Sequence, residues 1–238
     1  MERGALRNPT DRRFYGLVAI ASVLVAFAGF AHTYYLKGLF GTPALSDLVH
    51  VHAVVMTGWV VLFFVQARLI AAGRADLHRR LGVVGAALAV LVVVIGTATA
   101  IEAARRGLTP AAFSGGALVF LVIPLGTVVV FGMLVAAALA YRRRSDFHKR
   151  LMALASISIL TPAIARLPLD VIQAGGPPMF LGLTDLIVLA CVAYDTARNR
   201  RLHPAFGWGA LFLFASQPLR LMLAKTPAWA EFATWLVR

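Results

Sequence analysis

Apolar residues along this chain come in long runs separated by short polar segments. A bilayer core about 30 Å thick takes about 20 mostly apolar residues in a helix. Seven stretches meet or approach that length. They run from Phe14 to about Leu36, Leu48 to Ala72, Leu81 to Ala103, Ala111 to Tyr141, Leu151 to Leu167, Met179 to Ala197 and Ala205 to Leu223. The fourth is long enough to need tilting, and Pro124 inside it predicts a kink. The fifth is short and contains Pro162. Gly175-Gly176-Pro177-Pro178 predicts an outer loop before the sixth. Trp229 and Trp235 in the tail, Ala224 to Arg238, suit a segment at the membrane interface.

The predicted fold is all-α: a polytopic transmembrane bundle forming one integral membrane domain over residues 1–238. A histidine-containing core covers 48–167, and C-terminal helices with an interfacial tail cover 179–238.

Composition supports a lipid solvent. Sixty per cent of residues are hydrophobic, 14% are charged and mean hydropathy is +0.81. A soluble domain carries about 25% charged residues. The net charge of +13 would suggest nucleic acid in a soluble protein, but the basic residues gather in short loops between apolar runs. With the N-terminus cytoplasmic, 16 of the 23 Lys and Arg fall on the inner side. They begin with Arg3, Arg7, Arg12 and Arg13 and recur in every inner segment. The positive-inside rule then gives N-in, and seven spans give C-out, in a cell inner (plasma) membrane. The basic N-terminus precedes a full-length apolar run without a small-residue cleavage site, so the first run is expected to be retained as a span.

Two stretches share one pattern at the foot of two spans: Asp76-Leu77-His78-Arg79-Arg80-Leu81 and Asp146-Phe147-His148-Lys149-Arg150-Leu151. Both following helices run from inside to outside, so His78 and His148 are predicted at one depth. Facing each other, they suit bis-histidine ligation of haem b or two ligands of a metal. The plainer alternative is two interfacial histidines at helix starts, with the neighbouring arginines toward headgroups. Asp76 and Asp146 are candidate N-caps, or acceptors that orient the histidine rings.

Other polar residues fall within or near the apolar runs, where ionisable groups are costly and functional by default. His203 is a third inner histidine. On the outer side are His32, His50 and His52. His50 and His52 lie about 200° apart on a helix and cannot share a face. His52 shares a stripe with Trp59 and Gln66, read either as a ligand-bearing face or as a packing seam. His32 at similar depth allows a second pair. Arg166, Asp185, Gln217 and Arg220 occupy the outer half. The expectation is a buried ion pair of Asp185 with Arg166 or Arg220, the alternative an anion or quinone headgroup site.

The single cysteine, Cys191, excludes an intramolecular disulfide and a cysteine metal cluster. No nucleotide-binding loop, HExxH, set of HxxxH boxes or CxxCH occurs.

Certain residues resemble known sequences. His52-Ala-Val-Val-Met-Thr-Gly-Trp59, Gln66-Ala-Arg68, Leu77-His78-Arg79-Arg80-Leu81-Gly82, His148-Lys149-Arg150-Leu151-Met152 and Arg166 look like an uncharacterised family of bacterial polytopic membrane proteins. More distantly, their order resembles the four-histidine cytochrome b ferric reductase superfamily. That resemblance implies His52, His78 and His148 as haem ligands in the first, second and fourth positions. No histidine lies between His78 and His148, so the third has no match. His78 with His148 would remain as the inner pair.

Three functions follow as expectations. The first is a haem b redox protein passing electrons between a quinol or other small reductant and a partner. The second is a non-enzymatic structural or assembly subunit of a larger membrane complex. The third is a small-molecule or ion transporter using Asp185 and the outer histidines.

Overall fold

A computed structural model describes residues 9–110, 113 and 115–238, so Arg3, Arg7 and the predicted start of the fourth span at Ala111 lie outside the described residues. The described residues form helices and no strands. Helix α1 (Pro9–Phe30) runs on through a π-helical turn, Ala31–Tyr35, and a 3-10 turn, Lys37–Leu39. Then come α2 (Asp47–Ala71), α3 (Ala75–Arg105), short α4 (Ala117–Phe120), α5 (Val122–Ala140), α6 (Ser145–Ser158) and short α7 (Thr161–Ile164). Helices α8 (Asp170–Asn199), α9 (Pro204–Leu223) and α10 (Pro227–Leu236) complete the chain.

Among the described residues, five segments are long and apolar enough to cross a membrane: Asp11–Tyr35, Asp47–Ala71, Ala75–Arg105, Ala117–Ala140 and Asp170–Asn199. Helix α3 shows why lipid suits this surface. Val83, Val84, Val90, Leu91 and Val94 are all exposed along it. Such a continuous apolar face on a soluble monomer would be an interaction or aggregation site.

The α2–α3 turn is tight because Gly73 adopts φ 76°, beyond easy reach of a side-chain-bearing residue. There Gly73 N–H bonds the Ile70 carbonyl and Arg74 N–H the Leu69 carbonyl, closing the helix end. Arg12 adds a bond from Nη1 to the Ala71 carbonyl (3.1 Å), tying the foot of α1 to the same turn.

Proline sets the remaining breaks. Helix α4 gives way to α5 at Leu121, where Pro124 has no N–H for the Phe120 carbonyl. The predicted fifth span, Leu151–Leu167, is two pieces. Pro162 cannot bond the Ser158 carbonyl, α6 stops there, and the Thr161 hydroxyl donates to that carbonyl instead (3.1 Å). The Gly175–Pro178 stretch, expected as a loop, is a kink inside α8, with Gly176 at φ 55°, ψ −150°.

Helix α6 is central. Ala153, Leu154, Ala155 and Ile157 are essentially fully buried. It packs against α1, α5, α8 and α9. Trp59, Phe131, Leu134, Val188 and Phe206 join it in the main core. Helix α10 lies against α4: Trp229 is buried and its Nε1–H bonds the Leu118 carbonyl (2.9 Å), while Trp235 stays exposed.

Candidate functional site

His78 and His148 both sit in first turns, of α3 and α6, and the structure brings them together. Their ring centroids are 6.1 Å apart and their planes cross at 84°. The His148 Nδ1–H donates to the Ala138 carbonyl at 2.8 Å, which holds the ring against the end of α5 and leaves Nε2 with its lone pair. Nδ1 of His78 is buried and has no hydrogen-bond partner. Gln66 on α2 donates from Nε2 to the His78 carbonyl (3.2 Å), and its own Oε1 is buried without a partner.

The two matching motifs are used differently. In the first, Asp76 meets only Arg74, 3.7 Å away and exposed, while Arg79 and Arg80 point outward. In the second, every polar side chain is bonded within the bundle. Asp146 takes a bond from His203 (3.1 Å). Lys149 pairs with Asp11 of α1 and lies over the Tyr15 ring. Arg150 grips Asp195 of α8 through two bonds and reaches back to the Asp146 carbonyl from Nη1 (2.8 Å). Arg79 and Arg80 are thus exposed, whereas Arg150, expected toward headgroups, is buried inside the bundle.

Neither aspartate takes the expected capping place. Arg74 and Arg144 occupy the N-cap positions, without side-chain capping bonds. Nor is either aspartate bonded to the histidine of its own motif; Asp146 serves His203. Both remain in first turns, where a negative charge favours the helix dipole. Burial works to raise the Asp146 carboxyl, but the bond from His203 and the backbone N–H groups of Asp146 and Phe147 leave it below the usual carboxylate range. His203 caps α9: its Nδ1 accepts from Ala205 N–H (3.2 Å), so Nε2 carries the hydrogen toward Asp146. Burial, and then the charge of Arg150, push His203 below the ordinary histidine value.

His32 and His50 have separate neighbours. His32 lies in the π-helical turn, edge-on to Phe40 at 6.2 Å. His50 faces Tyr34, with Nδ1 3.4 Å from its hydroxyl. His52 Nδ1 is buried without a partner, as is Nε1 of Trp59, which packs edge-on to Phe131 at 4.8 Å. The stripe of His52, Trp59 and Gln66 thus carries three unpaired buried polar atoms.

The predicted arginine partner of Asp185 is replaced by an amide: Gln217 Nε2 donates to Asp185 Oδ1 at 2.6 Å. Arg166 bonds the Pro162 carbonyl and lies over Phe30. Arg220 bonds the Ile123 and Ser216 carbonyls and the hydroxyls of Thr127 and Ser216.

Sequence reasoning missed the pairs Arg150–Asp195, Lys149–Asp11 and Asp146–His203. One signal was present. Asp11 and Asp195 are rare acids at strongly basic helix ends, and a basic residue drawn into the bundle needs such a carboxylate.

The chain matches no family model, no curated protein and no solved structure.

Proposed function

We propose that this chain is a seven-span protein of the cell inner (plasma) membrane, N-terminus cytoplasmic and C-terminus outside, in which His78 and His148 hold haem b for electron transfer. Five long apolar helices support the multi-pass reading. The broken α6–α7 segment and α9 make up the other two spans, and the excess of inner basic residues sets the orientation.

The observation that carries the cofactor reading is the histidine pair. Two imidazoles sharing a metal, each nitrogen about 2 Å from it, have centroids about 6 Å apart. The observed 6.1 Å fits that span, so His78 and His148 would hold the group between their rings. The donors fit as well: His78 Nδ1 is an orphaned buried nitrogen, and the Ala138 carbonyl orients His148 as outer partners of metal ligands do. Among the described residues no group of three or more His, Cys, Asp or Glu side chains could hold a bare ion. A porphyrin, which brings four nitrogens of its own, needs only the pair.

Bound there, haem b supplies a one-electron couple. The protein's part is to fix the two rings, with Gln66 steadying the start of α3 through the His78 carbonyl. A quinol or other small reductant would donate the electron, and a membrane partner accept it.

The test is the reduced-minus-oxidised absorption spectrum of protein purified from haem-replete cells. A reducible Soret band that His78→Ala and His148→Ala each abolish is expected. Colourless protein, without metal by elemental analysis, would overturn the reading.

A second reading has its own observation. The second motif uses Asp146, Lys149 and Arg150 to bind three other parts of the bundle, as a purely structural element would. A structural or assembly subunit of a larger membrane complex would co-purify with a stoichiometric partner whether or not the two histidines were replaced.

A further inference from the structure

The outer half of the bundle holds a second polar centre, apart from the histidine pair. Arg220 leaves the last turn of α9 and crosses α5 at Gly126, where an added Cβ would collide with its Cδ. Its guanidinium is well bonded: Nη1 to the Ile123 carbonyl (3.1 Å) and Thr127 Oγ1 (3.0 Å), Nε to the Ser216 carbonyl (3.0 Å) and Nη2 to Ser216 Oγ (3.1 Å). All these acceptors are neutral, so the geometry is satisfied while the charge is not cancelled in contact. Asp185, the nearby acid, gives its close bond to Gln217.

Beside this guanidinium is a cavity of about 10 Å³, the space of one water. Arg220, Gln217 and the hydroxyl residues Thr127, Ser158, Thr161 and Thr184 supply its polar lining, and no carboxylate lines it. The hydroxyls of Ser158, Thr161 and Thr184 bond helix carbonyls at 2.8 to 3.1 Å, and each can rotate its hydrogen toward a new acceptor.

We propose that this cavity is a binding site for a single-atom anion, a halide such as chloride. The guanidinium supplies the charge, and the hydroxyls and the Gln217 amide supply donors. A monatomic anion is larger than the water the cavity admits but far smaller than a phosphate, a carboxylate ligand or a quinone ring. A cation is disfavoured by Arg220. Asp185 and the anion compete for the same positive charge, so an ionised Asp185 opposes anion uptake. Competition of this kind is a coupling free energy between two sites.

The experiment is a titration of the full-length protein in neutral detergent with sodium chloride or bromide, at ionic strength held constant with sodium gluconate. Thermal stability and the anomalous signal of bromide in crystals are read. A saturable halide-specific rise in Tm is expected, with bromide density beside Arg220. Arg220→Gln should weaken binding about tenfold or more, since it removes a charge-assisted donor. Asp185→Asn, which removes the competitor and keeps the shape, should lower the halide midpoint several-fold. Equal Tm in halide and gluconate for both wild type and Asp185→Asn would overturn the proposal, as would a halide effect retained by Arg220→Gln. Should Arg220→Gln not fold, Asp185→Asn decides alone: an unchanged or raised midpoint rejects the site.

Discussion

Arg150 Nε and Nη2 clasp the two carboxylate oxygens of Asp195 at 3.0 and 2.7 Å, and both side chains are about 5% exposed. The pair joins the central helix α6 to α8. In such a place the attraction roughly offsets the cost of desolvating both charges, but a lone survivor has no compensation. Breaking a buried pair costs about 3–5 kcal/mol, while exchanging both partners for apolar residues is often neutral. Arg150→Met and Asp195→Leu singly should therefore lower thermal stability in detergent sharply, and the double variant should recover most of the loss. Arg80→Ala, at the equivalent place in the first motif, should stay within about 0.5 kcal/mol of wild type. Equal losses at Arg80 and Arg150 would contradict the asymmetry between the motifs.

That asymmetry marks where the sequence stops being legible. The long helices were readable because a lipid solvent requires about 20 apolar residues in a row, whatever their partners. A similar depth for His78 and His148 was readable because both lie in first turns after strongly basic turns, but their approach across the bundle depended on packing. The role of Arg150 was not. Its motif matches the first almost residue for residue, and its partner lies 45 positions away on another helix. Only packing decides that α6 is central and that its charges turn inward while those of α3 turn out. Asp185 shows the same limit: sequence placed it near Arg166 and Arg220, and side-chain reach gave it to Gln217.

The proposed topology is testable by labelling. Cys191 is the only cysteine and is buried, so Cys191→Ala gives a background without thiols at the cost of one small core change. Cysteines introduced for Ala72 and Arg143, both in proposed inner turns, should resist a membrane-impermeant maleimide in intact cells. Those for Ala44 and Leu108, in proposed outer turns, should react. Labelling of Ala72→Cys or Arg143→Cys from outside would reverse the orientation.

Gly29 locates a close helix contact. A Cβ there would meet the backbone carbonyl group of Ala163 in α7, and backbone cannot swing aside as a side chain can. Gly29→Ala should destabilise by about 1–3 kcal/mol, the usual cost of overpacking. Gly16, on the same helix, faces open space. There Gly16→Ala should be neutral or stabilising by up to about 1 kcal/mol from helix propensity. Comparing the two Tm values in one detergent checks the contact, and a Gly29→Ala protein as stable as Gly16→Ala would remove α7 from the face of α1.

Acid should loosen the start of α9 through His203. Its Nδ1 accepts the Ala205 N–H and its Nε2–H is directed at Asp146, so the folded state holds a neutral ring. Burial and the Arg150 charge depress its pKa below the ordinary value. The unfolded chain takes up that proton first, near pH 6.5. The unfolded state then binds more protons, and stability falls as pH drops below about 6.5. The carboxylate of Asp146, also held below its usual range, adds a further loss only near its own titration, around pH 4 and lower. Thermal unfolding between pH 8 and 5 should show Tm level above about 7 and falling below it. In His203→Asn, which keeps a side chain able to cap α9, the slope between pH 7 and 5 should flatten. A wild-type Tm that rises on acidification would mean that His203 gains its proton on folding as the charged partner of Asp146, and the neutral-ring assignment would be wrong.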